Sequence, residues 1–266
     1  MVPPILCYHK VDTRFELGFT QIEPRVFRRQ VETLSRAGYR SLGSEELREV
    51  LAGTPRPGQG TEVVFTFDDG YAGLARHAFP VLAAHGFRAL VFVISDYVGR
   101  DNSWDVQYGW RRFAHLDWDD LARWQERGIE VHSHGATHAR LTWLSDAQVA
   151  DELGRSRDAI AERLGRRPEG ISYPFGSVDS RVRGLAEQAG YRLGFAGPSQ
   201  PGADALALSR RPVYGWDRFA TPLVLGGSPF SSIGLALARF TSWCAVGTAA
   251  IQRLLGRRYR PVQPAR

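Results

Sequence analysis

Short apolar runs alternate along the chain with stretches in which apolar positions recur every three or four residues, the patterning of strands set between helices. Ile5–Tyr8 is the first such run, and Phe27, Val31 and Leu34 follow at helical spacing before Gly38. Ser44 precedes a capped helix over 45–51, and the Gly- and Pro-rich stretch 53–60 reads as a loop. A buried strand over 63–67 then runs into Asp68, Asp69 and Gly70, followed by a helix over 74–84 that ends before Gly86. The same alternation predicts strands at 89–94, 129–131, 170–172, 191–196 and 207–213, with helices at 117–127, 145–164 and 181–189 between them. At least six strands, mostly separated by helices, predict a parallel sheet, and we read it as an α/β barrel.

Past Asp217 the texture changes. Residues 219–238 carry no charge but are broken by Pro222, Gly226, Gly227 and Pro229, too irregular for a spanning helix. Leu237, Phe240, Cys244, Ile251 and Leu255 then form one apolar stripe that ends in Arg253, Arg257, Arg258 and Arg260. The expected organisation is a barrel over 1–218 and a helical extension over 219–266. That helix either packs on the barrel or lies on an anionic membrane surface.

Composition narrows the class. With 266 residues, 43% of them hydrophobic, the chain is long enough for one large domain without disulfide staples. The 34 basic and 28 acidic residues leave a net charge of only +6, and the arginines are spread through every segment, which argues against a nucleic-acid surface. Two cysteines, Cys7 and Cys244, are too few for a disulfide framework or a thiolate metal cluster. The start MVPPILCYHK has neither the basic region nor the apolar core of a secretory signal, so the expected location is the cytoplasm, with membrane association through the extension.

Candidate chemistry gathers at two strand ends. Asp68 and Asp69 emerge where ligands bind in α/β folds, and adjacent carboxylates resist joint ionisation unless a cation is near. An Asp-Gly turn that merely caps the next helix is the alternative. Three of the seven histidines in the chain, His132, His134 and His138, fall within seven residues of one another. Imidazole favours zinc, and two histidines plus a carboxylate leave a ligand position open for catalysis. His134 and His138 can converge on one ion, whereas His132 is expected to point elsewhere in a structural role.

TFDDG at 66–70, SHGATH at 133–138 and YPFG at 173–176 resemble, in order, three motifs of the polysaccharide deacetylases with a NodB-homology domain, carbohydrate esterase family four. The resemblance covers about residues 3–216. It implies a deformed (β/α) barrel of about seven strands and hydrolysis of an N-acetyl or related acyl group on a sugar. By the same resemblance Asp69, His134 and His138 bind one divalent ion, Zn2+ before Ni2+ or Co2+, and Asp68 takes a proton from the attacking water. The backbone N–H of Phe175, beside Tyr173, is implied to stabilise the oxyanion. Tyr173 and Phe175 are expected to contact the substrate, and serve equally well as core aromatics.

Two departures from the family pattern stand out. Ser172 occupies the place where many members carry the arginine that braces the catalytic aspartate, so that bracing must come from elsewhere. No histidine follows His138, so the family's late acid has no counterpart. The Tyr8-His9 pair resembles a subgroup with permuted motif order, including deacetylases of poly-N-acetylglucosamine, in which an amino-terminal histidine is the acid. A locally bonded strand-end histidine is the competing reading. Trp104, with Asp105 and Trp110 in the same loop, offers a flat apolar face for a sugar ring or simply packs.

The expected function is therefore metal-dependent removal of an N-acetyl group from a sugar unit of a polysaccharide or glycan precursor, which is either free or lipid-linked. A deacylase of another amide or an O-acetyl ester, and a catalytically inactive carbohydrate-binding relative, are the alternatives.

Overall fold

The computed structural model describes residues 2–14, 20–54, 60–103, 112–198 and 204–214. The expected extension over 219–266 and the loop residues Trp104, Asp105 and Trp110 lie outside the described residues.

The chain opens with β1 (Ile5–Tyr8), short β2 (Lys10–Val11) and β3 (Gln21–Ile22), then α1 (Pro24–Arg36). Pro24 pre-sets the first turn of α1, and Phe27, Val31 and Leu34 bury its inner stripe. Next come β4 (Arg40–Ser41), α2 (Ser44–Leu51) and β5 (Glu62–Phe67). The single helix predicted over 74–84 is two, α3 (Gly73–His77) and α4 (Phe79–Ala84). Pro80 has no N–H to donate back to the turn before it, and the helix breaks at Ala78.

β6 (Ala89–Val93), α5 (Trp118–Gln125) and β7 (Ile129–Ser133) follow, with the Asp117 carboxylate capping α5 through the Asp120 N–H. The long α6 (Asp146–Leu164) starts in a capping box between Ser145 and Gln148 and stops at left-handed Gly165. β8 (Gly170–Ser172), α7 (Ser180–Gln188), β9 (Leu193–Ala196), β10 (Leu208–Ser209) and β11 (Arg211–Pro212) complete the described chain.

Among the described residues every strand pair is parallel, and the main sheet runs β10-β9-β8-β7-β6-β5-β1-β11, with β4 added beside β5. β10 and β11 are successive pieces of one segment, the first paired to β9 and the second to β1. That segment, predicted as one strand over 207–213, closes the sheet into a barrel and leaves Arg210 at the seam between its two partners.

Inside the barrel, Ile5, Val64, Leu90, Phe92, Leu193, Phe195 and Leu208 form one apolar cluster with Leu42 and Leu47. The outward strand faces pack on the helices, with Phe65, Phe67, Val91 and Val131 against Phe27, Phe79 and Leu121. Because a strand buries both of its faces, the apolar runs in the sequence are nearly continuous.

Candidate metal and catalytic site

The polar groups of the site stand at the carboxyl ends of these strands, where the apolar interior stops. Asp68 and Asp69 follow β5, His134 follows β7, and His9 lies just past β1. His134 Nε2 is 3.5 Å and His138 Nε2 3.4 Å from the same Asp69 oxygen, Oδ1. One ligand atom from each of the three residues lies within 4.8 Å of the other two. Two donors each about 2.1 Å from a tetrahedral ion stand about 3.4 Å apart, so the carboxylate-to-imidazole spacings match zinc coordination.

The donor chemistry fits as well. Asp69 Oδ1 is buried without a hydrogen-bond partner, which a cation would satisfy. His134 Nδ1 donates to the Ser172 carbonyl at 2.7 Å, leaving the Nε2 lone pair to face Asp69. Burial brings His138 down to about 4 against the pull of Asp69, so this ring is neutral at pH 7, the form that binds metal. Burial acts in the same sense on His134, but the charges of Asp68 and Asp69 outweigh it and raise its pKa. The residues present therefore fit a divalent ion.

The backbone carries strain at the same place. Among the described residues only three besides glycine have positive φ: Asp69 at 65°, His138 at 65° and Phe175 at 62°. Such conformations cost about 1–3 kcal/mol each and persist where the surroundings over-determine them. Two of the three are candidate metal ligands. The third, Phe175, lays its ring 4.8 Å from that of His138, and its N–H meets no acceptor among the described residues. Gly176 keeps this turn tight, because at φ 63° a Cβ there would lie 2.8 Å from the Gly197 backbone.

The brace for Asp68 is Arg210. Its Nη1 and Nη2 donate to the two carboxylate oxygens at 2.8 and 2.7 Å, and both side chains are 5% exposed. Ser172 Oγ adds a bond to Asp68 Oδ2 at 3.1 Å and accepts one from Arg210 at 2.9 Å. Burial alone would raise the Asp68 pKa, but Arg210 and then His134 hold it far below the carboxylate range. Cys7 Sγ sits 3.6 Å from Asp68 Oδ2, and burial pushes this thiol up so that it stays protonated. A nitrogen of His9 lies within 4.8 Å of both the Cys7 sulfur and an Asp68 oxygen, and burial lowers the His9 pKa against the opposing charges of Asp69 and Asp68.

Two expectations need correction. His132 lies outside the ligand group, as expected, but it does not point away from His134. β7 extends to Ser133, residues two apart in a strand share a face, and His132 points into the barrel one layer deeper, beside Phe92 and bonded to the Gly170 N–H at 3.3 Å. Tyr173 has no surface to offer a substrate: it is fully buried, and its hydroxyl donates to the Leu206 carbonyl at 2.9 Å.

The loop between the two candidate ligands is clamped by a residue that sequence reasoning missed. Glu152, on α6 and wholly buried, accepts from the Ala136 and Thr137 N–H groups at 2.9 and 3.0 Å and from the Thr137 hydroxyl at 2.6 Å. On the other side of the loop, the Ser95 and Asp96 N–H groups donate to the Gly135 and Ala136 carbonyls at 3.3 and 3.0 Å. His115, also unforeseen, is buried nearby, with Nδ1 2.7 Å from the Leu116 carbonyl and a pKa brought to about 4 by burial.

Residues 56–194 match the family model for polysaccharide deacetylase. The chain belongs to the polysaccharide deacetylase family. It is 27% identical over 229 residues to YxkH of Bacillus subtilis (strain 168), whose name marks it as a candidate polysaccharide deacetylase, covering 86% of this chain and 75% of that one. It is 23% identical over 146 residues to the poly-beta-1,6-N-acetyl-D-glucosamine N-deacetylase of Staphylococcus aureus, and this match spans 50% of the chain and 47% of that enzyme. The fold is that of the Streptococcus pyogenes deacetylase PplD, with TM-score 0.70, 22% identity and coverage of 80% of this chain and 92% of that one. IcaB from Ammonifex degensii gives TM-score 0.68 at 24% identity, with coverage of 81% of this chain and 93% of that one. The protein is thus a carbohydrate deacetylase.

Proposed function

We propose that the protein is a metal-dependent N-deacetylase that hydrolyses the acetamido group of a hexosamine unit in a polysaccharide or glycan precursor. The observation that carries this reading is the pairing of a ligand set, Asp69, His134 and His138, with an adjacent carboxylate, Asp68, that is held by other groups and left out of the ligand set. A divalent ion, with Zn2+ the best match to two imidazoles and a carboxylate, supplies Lewis acidity toward the acyl carbonyl and acidifies water when bound.

The chain's own groups do the rest. Asp68, ionised and fixed by Arg210, accepts a proton from the attacking water. The N–H of Phe175 is a donor for the oxygen that gains charge as the carbonyl carbon becomes tetrahedral. The departing amine then needs a proton. A nitrogen of His9 stands within 4.8 Å of an Asp68 oxygen, so His9 is placed to take the proton from Asp68 and pass it on to the amine.

The test pairs metal analysis with acetate release from N-acetylglucosamine oligomers. His134→Ala and His138→Ala should lose both metal and turnover, and Asp68→Asn should keep the metal and lose turnover. Full metal occupancy in both histidine variants, or near-normal turnover by Asp68→Asn, overturns the assignment.

A further inference from the structure

We propose that Arg140, lying against Trp143 in the turn that follows the candidate ligand His138, recognises an anionic group, carboxylate or phosphate, on the glycan unit next to the acetylated sugar. This rests on the deacetylase reading above and names the class of glycan that the site takes.

Arg140 follows the candidate ligand His138 by two residues. Its Nη1 is buried and has no hydrogen-bond partner. Its one side-chain bond is a long contact from Nε to Thr142 Oγ1 at 3.4 Å, and no carboxylate among the described residues lies within ion-pair distance. Arg48 and Arg155 also carry a buried nitrogen without a bond, but each has a carboxylate at hand, Glu169 at 3.4 Å and Asp96 at 3.0 Å. A guanidinium that has given up water on one side and gained no anion in return is an unmet demand for an acceptor.

The surroundings shape what can meet it. The guanidinium carbon lies 4.9 Å from the centroid of the Trp143 ring, and Trp143 is 45% exposed, an unusual degree for so large an apolar group here. An indole face holds the planar fork in place, and such a fork binds a carboxylate or phosphate in a bidentate manner. The pair belongs to the site, because the Thr142 hydroxyl bonds to that of Ser177 at 3.1 Å and so ties this turn to the segment after Phe175, whose ring meets His138.

The test compares three substrates with the metal-loaded full chain: a neutral N-acetylglucosamine oligomer, an oligomer alternating N-acetylglucosamine with glucuronate, and an N-acetylglucosamine oligomer bearing a phosphodiester. The wild type should favour at least one anionic oligomer by about tenfold in kcat/KM, mostly through KM, as expected for a charge-assisted bidentate contact. In Arg140→Gln the anionic-to-neutral ratio should collapse toward one, and Arg140→Lys should keep part of it. The arm that responds tells carboxylate from phosphate. Equal kcat/KM on all three oligomers, or an unchanged ratio in Arg140→Gln, overturns the proposal. If no oligomer is hydrolysed, the deacetylase reading fails on its own. Calorimetric binding of the same oligomers to wild type and Arg140→Gln still decides the role of Arg140.

Discussion

Arg210 and Asp68 meet as a buried, bidentate pair although 142 residues separate them in the chain. The meeting depends on the way the barrel closes. Arg210 is the single residue between the piece of chain that pairs with β9 and the piece that pairs with β1, and at that seam its side chain passes inside, over the rings of Phe92 and Phe195, to the end of β5. Burial of this pair brings specificity of position more than net stability.

Arg210→Ala leaves the buried Asp68 without its guanidinium counter-charge, and should cost about 3–5 kcal/mol in unfolding free energy. Arg210→Lys keeps the charge but not the fork. It should fold, bind metal, and lose roughly a hundredfold in kcat, since the carboxylate is no longer fixed by two bonds. Exchanging the partners, Ser172→Arg with Arg210→Ser, moves the guanidinium to the neighbouring strand end and should recover part of that loss. Wild-type kcat in Arg210→Lys would show that the bidentate hold on Asp68 is dispensable.

The candidate metal ligands were legible because they come in contiguous groups. Asp68-Asp69-Gly70 and the histidine run each sit on one strand end, and their residue types are rare enough in this chain to stand out. Arg210 was not legible. It is one arginine among 34 basic residues, and nothing in its neighbours sets it apart. Only barrel closure brings it to Asp68, so the missing family arginine could be noticed but not replaced. Glu152 was hidden for a similar reason: on α6 it reads as one more polar residue of an amphipathic helix. The breaks at Ala78 and Arg210 were missed because periodicity locates apolar faces but not the point where a backbone changes partner.

Glu152 should matter to metal affinity. It holds the Ala136 and Thr137 N–H groups between His134 and His138, and a Cβ on Gly135 would lie 3.0 Å from its Oε2, so loop and carboxylate fit closely. Glu152→Ala should weaken metal binding by roughly 10- to 100-fold, the range for groups that orient ligands. Glu152→Gln keeps an oxygen for both N–H groups and should stay within about threefold of wild type. Competition with a chromophoric chelator measures this, and melting of the metal-free variants separates it from a general loss of fold. An unchanged affinity in Glu152→Ala would remove the clamp from the metal site's design.

Acid stability should depend on Glu130. Burial alone would raise its pKa, but His132 beside it and the bonds from Ser44 more than compensate and bring it to about 2, from an ordinary 4.5. Its Oε1 also pairs with Arg88 at 2.8 Å. A depressed carboxyl contributes stability that is present above the unfolded value and is lost as pH falls from about 4.5 toward 2. The contribution is on the order of 2–3 kcal/mol at neutral pH. In metal-free protein, Glu130→Gln should be less stable than wild type at pH 7, and the gap should close on acidification through that window. A gap that stayed constant with pH would mean that packing, not ionisation, explains the loss.

His9 carries the riskiest assignment, since it asks a residue at the end of the first strand to protonate the leaving amine. Burial keeps its imidazole neutral at rest, so it must receive a proton during the cycle, and the Asp68 carboxylate is within 4.8 Å to deliver one. His9→Gln should keep metal and fold while losing about a hundredfold in kcat on an N-acetylated sugar. Asp68→Asn would remove proton acceptance from water as well, so the two variants differ in how they respond to the leaving group. An acetanilide with an electron-poor ring needs little help in departing, and on such a substrate the His9→Gln deficit should shrink toward a few-fold while that of Asp68→Asn stays large. An equal deficit for His9→Gln on good and poor leaving groups would take the acid role from His9 and leave it a substrate-binding one.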